Sequence, residues 1–162
     1  MATVTTIGHV NNAIRFTQKI GNIYVGIGLG GTSKTNDTIS NLYGLRRAEM
    51  VSLARMIDPS ENFSGSYISY GGNKYELISQ GDAYKKNAHF IYVKASLAPD
   101  ELNGNTYDTV GIYTDPRFKQ GVTGDIIPSG SIESPGYLEM YDSREPVDRT
   151  TLKITEQFII EA

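Results

Sequence analysis

The chain has 162 residues, a formal net charge of −3, 39% hydrophobic and 20% charged residues. That is the profile of one folded domain with a real core, neither disordered nor membrane-like in composition. It has no cysteine, which excludes disulfides and thiolate metal sites.

The N-terminus "MATVTTIGHVNN" lacks the basic and apolar sections of a leader. No apolar run approaches the roughly 20 residues of a membrane span, so no membrane partner is expected. No Lys/Arg run exceeds two residues, so no nucleic-acid footprint is expected either. Seventeen glycines and eleven tyrosines without a tryptophan point to strands and turns rather than a helical bundle.

Val10, Ala13, Ile14, Thr17 and Ile20 recur at spacings of three and four, and Gly21-Asn22 follows as a stop; a short amphipathic helix is predicted over about 6–20. Ile23, Val25, Ile27 and Leu29 then alternate with Tyr24, Gly26, Gly28 and Gly30, a strand with one aliphatic and one nearly bare face. Residues 32–40 read as polar and irregular. The propensities of "LRRAEMVSLARMI" (45–57) favour a helix, with Val51-Ser52-Leu53 readable as extended. Residues 67–70, "GGN" and 74–78 form a predicted hairpin with a glycine-rich turn. Further strands are predicted over 89–97, 109–114, 137–141 and 152–160. Residues 117–135, rich in Gly and Pro, read as a long loop, and "DSREPVDRT" as a connection between the last two strands. The expected fold is a single mainly β domain over 1–162, antiparallel and sandwich-like, with one or two short helices near the N-terminus.

The stretch "YVGIGLGGTSKT" contains a G-x-G-x-x-G at Gly26, Gly28 and Gly31 and comes one glycine short of a P-loop. Neither reading holds in context: "TSKTNDTISN" starts no helix, and no strand–helix rhythm follows. Alternate glycines instead leave one strand face flat, so that a ring or a neighbouring backbone can lie on Gly26, Gly28 and Gly30. His9 and His89 stand alone, with no metal-binding spacing, and no serine occupies a G-x-S-x-G elbow. No cofactor, metal or catalytic set is therefore expected.

One residue breaks the local pattern. Leu152, Ile154, Phe158 and Ile160 share a face of the last strand, and Glu156 falls among them. A carboxylate there needs a cationic partner or a subunit interface, and Arg144 or Arg149 is the expected partner.

"VKASLAPDELNGNTYDTVGIYTDP" (93–116) and "GYLEMYDSREPVDRTTLKITEQFIIEA" (136–162) resemble the end of a baseplate wedge subunit of contractile-tailed bacteriophages, the gene-eight type. The matching residues are Tyr141, Asp142, Arg144, Pro146, Val147 and Arg149, then Glu156, Gln157 and Phe158. The likeness covers roughly the last 75 residues. It implies a non-enzymatic, β-rich virion protein of the tail baseplate, present in host cytoplasm during assembly. It also implies contacts with other wedge subunits, the principal wedge scaffold protein among them, and pairing with a second copy. It further implies that 51–57 is extended rather than helical. Loop 117–135 is then the first expected partner-binding segment, and the closing strand with Arg144, Arg149, Glu156, Gln157 and Phe158 the second. Tyrosines on a β scaffold leave a rival reading open, a carbohydrate-binding or glycan-degrading module, and another tail or neck protein is a third.

Overall fold

The structure, a computed structural model, describes residues 1–102 and 106–162. Asn103, Gly104 and Asn105 of the "LNGNTYDTVGIYTDP" segment lie outside the described residues. The chain is mostly β, 50% strand and 13% helical, with antiparallel sheets and one α-helix near the N-terminus, as expected. Among the described residues no helix is long and apolar enough to cross a membrane.

The chain forms two compact units, one of residues 1–20, 50–94 and 157–162, the other of 21–49 and 95–156. In the first, helix α1 (Thr6–Thr17) buries Val10, Ala13 and Ile14. Thr5 caps it, its Oγ1 accepting the Gly8 amide at 3.0 Å, a contact worth about 1 kcal/mol. The helix ends short of the expected stop, because a 3₁₀ turn, Ile20–Asn22, takes over.

The second unit holds the sheet ordered β11-β7-β1-β2-β9. Its strands are β1 (Ile23–Thr32), β2 (Ile39–Arg47), β7 (Thr106–Thr114), β9 (Ile126–Pro128) and β11 (Tyr137–Asp148). Tyr24, Ile39, Leu45, Tyr113 and Ile127 form its core, and Phe118 and Ile132 pack against them from the small ribbon of β8 (Arg117–Phe118) and β10 (Ile132–Ser134). The other sheet runs β12-β6-β3-β5-β4, from β3 (Met50–Met56), β4 (Ile68–Tyr70), β5 (Asn73–Ile78), β6 (Phe90–Leu97) and β12 (Ile154–Glu161). The division between the units falls inside β6 and β12. The β4–β5 turn is Gly71-Gly72, both at positive φ (56° and 82°), as a type I′ hairpin requires.

Four expectations are corrected. Residues 45–57 are not helical: β2 closes at Arg47 and β3 opens at Met50. Leu45 pairs with Gly26 in one sheet and Leu53 with Ile91 in the other, and burial on a pleated surface outweighs the helix propensity of Leu, Arg, Ala and Met. Residues 117–135 are not structureless, since β8, β9 and β10 lie within them; Ile127 is fully buried where β9 extends the sheet beside β2. "DSREPVDRT" is largely strand, because β11 runs on to Asp148. The last strand begins only at Ile154, so Leu152, 68% exposed, does not share its buried face.

The flat face of β1 is covered from within the chain. A Cβ on Gly26 would meet the Tyr113 ring at 2.8 Å, and one on Gly28 would lie 2.2 Å from the Asn41 carbonyl oxygen. The Asn41 backbone is fixed by strand pairing. The buried Tyr113 ring is held chiefly at its hydroxyl, by Thr38 and the Ile39 amide, and has the smaller overlap to relieve. Gly28→Ala is therefore expected to cost about 3 kcal/mol, well beyond the roughly 0.4–1 kcal/mol gained from a stiffer unfolded chain, and Gly26→Ala clearly less. Urea unfolding of both variants measures this, and equal losses would contradict it.

Candidate assembly surface

β11 ends its sheet and is the longest strand among the described residues. Its residues alternate between exposed and half-buried along nearly the whole length, with Tyr137 (69%) and Tyr141 (42%) on the exposed row. A long edge strand carries a row of backbone donors and acceptors with no neighbour on one side, and such edges are blunted by charges, bulges or proline. β11 has all three at one place. Its pairing with β7 runs Ser143 to Thr109 and then Val147 to Tyr107, so four residues on β11 advance against two on β7. Pro146 sits in that bulge, where no ladder amide is needed.

The bulge aims Arg144 inward. Its Nε and Nη2 donate to Glu156 Oε2 at 3.3 and 3.1 Å, and its Nη1 also pairs with Asp142. β12 places Ile154, Glu156 and Phe158 on one buried face, so the carboxylate has to find its partner within the protein. The Tyr107 hydroxyl, fully buried on β7, donates to Glu156 Oε1 at 2.5 Å. Both carboxylate oxygens are thereby bonded, which makes a partly buried charge tolerable. Burial pushes the Tyr107 phenol far above its ordinary value, and the bonded Glu156 charge adds to the rise. For Arg144 burial opposes the charge, but Glu156 and Asp142 outweigh it and raise the pKa. Glu156 thus has the arginine partner expected of it, and the partner is Arg144.

Arg149 goes elsewhere. It is only 1% exposed, and its guanidinium donates to the carbonyls of Ala98 (3.0 Å), Leu102 (3.3 Å) and Glu101. The turn it grips follows β6 and holds Leu102 at φ 61°, and the Glu101 carboxylate accepts the Ala98 amide at 2.7 Å. Gln157 and Phe158 belong to the other unit, where Gln157 Oε1 accepts the Tyr92 hydroxyl at 2.6 Å and Phe158 is fully buried. Of the five C-terminal residues singled out by the sequence, Arg144 and Glu156 meet directly. Gly30 is the exposed member of the glycine set, and its amide donates to Asp108 Oδ1 at 3.0 Å.

Sequence reasoning missed Tyr107, whose partner is 49 residues away, and the exposed Tyr137. Within 117–135 the longest outward run is 119–125, exposed except for half-buried Val122. It is tethered by the Arg47 amide bonding Asp125 O at 2.7 Å and by the Arg47–Asp125 ion pair at 3.5 Å. Among the described residues, β11 therefore ends its sheet and 119–125 is an anchored loop.

The whole chain, residues 1–162, matches the family model described as "Baseplate wedge 3 tail fiber network component". "Virion protein 3" of Enterococcus phage phiEF24C is 29% identical over 171 residues, an alignment covering 99% of this chain and 94% of that protein.

Proposed function

The chain belongs to the baseplate wedge 3 tail fiber network component family, and we propose that within it the protein is a non-enzymatic building block whose β11 edge and loop 119–125 bind neighbouring subunits. A structural role in the phage virion is the common ground of the family and the virion relative, and the family adds the tail baseplate. The observation that carries the finer reading is the length and openness of β11. Twelve residues of edge strand, with Tyr137 and Tyr141 exposed, suit strand addition or docking by a neighbour. Following the gene-eight resemblance, the principal wedge scaffold protein is one partner and a second copy of this chain another.

Electron microscopy of assembled tails tests this. Density for the chain in the wedge, with another subunit against β11, is the expected result; density at the capsid–tail neck overturns it. In parallel, Tyr137→Asp combined with Tyr141→Asp is expected to lower the stability of the isolated protein by about 1 kcal/mol per site, the cost of Asp in a strand, and to leave it folded. The same variant is expected to cut the yield of complete baseplates severalfold, and normal assembly would remove β11 from the interface.

A further inference from the structure

Beside the β4–β5 hairpin the unit formed by 1–20, 50–94 and 157–162 carries two adjoining hollows, of about 250 Å³ and about 350 Å³. Phe63 and Tyr67 line both. The smaller also holds Asp58, Glu61, Asn73 and Lys74, and the larger is lined mostly by apolar groups, Ile68 and Leu77 among them. Neither hollow is large enough for a helix about 10 Å across.

The polar groups are already fixed. Glu61 takes both its hydrogen bonds from Arg55, at 2.9 and 2.7 Å. Glu76 is held by Arg55 at 2.5 Å and Lys86 at 3.2 Å. Asp58 Oδ1 accepts the amide and hydroxyl of Ser60 at 2.9 and 2.7 Å. The Lys74 ammonium lies 4.6 Å from the Tyr67 ring centre, and the Arg55 guanidinium 5.6 Å from that of Phe63. The three cations Arg55, Lys74 and Lys86 thus balance the carboxylates of Asp58, Glu61 and Glu76. Such a place has no charge left over to select an ion or a basic side chain. It offers the Tyr67 and Phe63 rings, each with a cation over one face, beside fixed acceptors and donors, and both rings border the two hollows.

We propose that the paired hollows around Phe63 and Tyr67 bind two successive rings of a neutral oligosaccharide. The C–H face of one ring lies against Tyr67, while its hydroxyls donate to Asp58 and meet the Asn73 amide and the Lys74 ammonium. The next ring rests against Phe63, Ile68 and Leu77. Gly65 is part of the design, since a Cβ there would stand 2.7 Å from Phe63 Cζ and displace the ring. The inference goes beyond the assembly reading and does not depend on where the subunit sits in the particle.

Saturation-transfer NMR on the full chain tests it. The probes are the mono- and tetrasaccharides of β-1,4-linked glucose, β-1,4-linked N-acetylglucosamine and β-1,4-linked galactose. At least one tetrasaccharide is expected to bind, with saturation strongest on ring C–H protons and affinity about tenfold above its monosaccharide, as joined subsites give. Tyr67 is 49% exposed, so Tyr67→Ala keeps the fold while losing about tenfold in affinity, and Tyr67→Phe retains binding. Asn73→Ala, also exposed, weakens binding without touching the rings. Absence of saturation across the panel overturns the proposal, as does unchanged affinity in Tyr67→Ala. Binding of an acetylated Lys-Arg-Lys peptide at these residues in place of the sugars would overturn it too, in favour of protein docking.

Discussion

Arg149→Met is expected to destabilise the protein by about 3–5 kcal/mol, because three backbone carbonyls lose their donors at a buried site. Methionine fills much of the space of the arginine stem, so little of this loss comes from a cavity. What it removes is the donor set. The carbonyls of Ala98, Glu101 and Leu102 all face Arg149, a residue only 1% exposed. Each acceptor left dry costs about 1–3 kcal/mol, against about 1 kcal/mol for an ordinary exposed bond. Arg149→Lys is expected to fall between, since an ammonium is a compact point charge and cannot fork across three carbonyls. Chemical unfolding gives the energies, and hydrogen exchange locates the damage in the turn after β6. A loss below about 1 kcal/mol for Arg149→Met would show that the carbonyls find water instead.

Arg149 also marks the limit of what the sequence could tell. It stood one strand away from Glu156 with the right charge, yet the chain spends it on a turn some 50 residues earlier in sequence; the bond to Ala98 spans 51 positions. No local pattern encodes that. Features that are local were legible: the two-residue period of β1 and β6, the Gly71-Gly72 turn, the three-four spacing of α1. So was Glu156, because a carboxylate between Ile154 and Phe158 contradicts its own strand. The misread parts are those decided by neighbours. Residues 45–57 carry good helix formers, but their Leu45 and Leu53 are pinned in strand pairs. Strands as short as Arg117–Phe118 and Ile126–Pro128 hold too few residues to show a period. "SREPVD" looked like a turn because proline and charges usually mean one, and an edge strand with a bulge tolerates both.

Glu156→Leu is the second large effect, about 2–4 kcal/mol, from a buried hydroxyl and a part-buried guanidinium that lose their acceptor. Two donors lose their acceptor at once: the Arg144 guanidinium, which retains Asp142, and the Tyr107 hydroxyl, which is fully buried. The loss measures what is stranded, not what the pair contributes, because a buried pair and a well-packed apolar substitute are often close in free energy. Adding Arg144→Met should recover part of the loss, and adding Tyr107→Phe most of the remainder, so the triple variant lies near the parent. If the losses simply add, the three residues are not acting as one network. The pH profile gives an independent check. The Tyr107 pKa lies above that of an unfolded tyrosine, about 10, chiefly through burial and then through Glu156. Above that pH the unfolded chain releases the proton and the folded one does not. The contribution is therefore complete below about pH 10 and falls as pH rises toward the folded pKa, by about 1.4 kcal/mol per pH unit. Tyr107→Phe should remove one proton's worth of that alkaline slope. Glu156→Leu should leave the slope but end it at a lower pH, since burial remains when the carboxylate is gone.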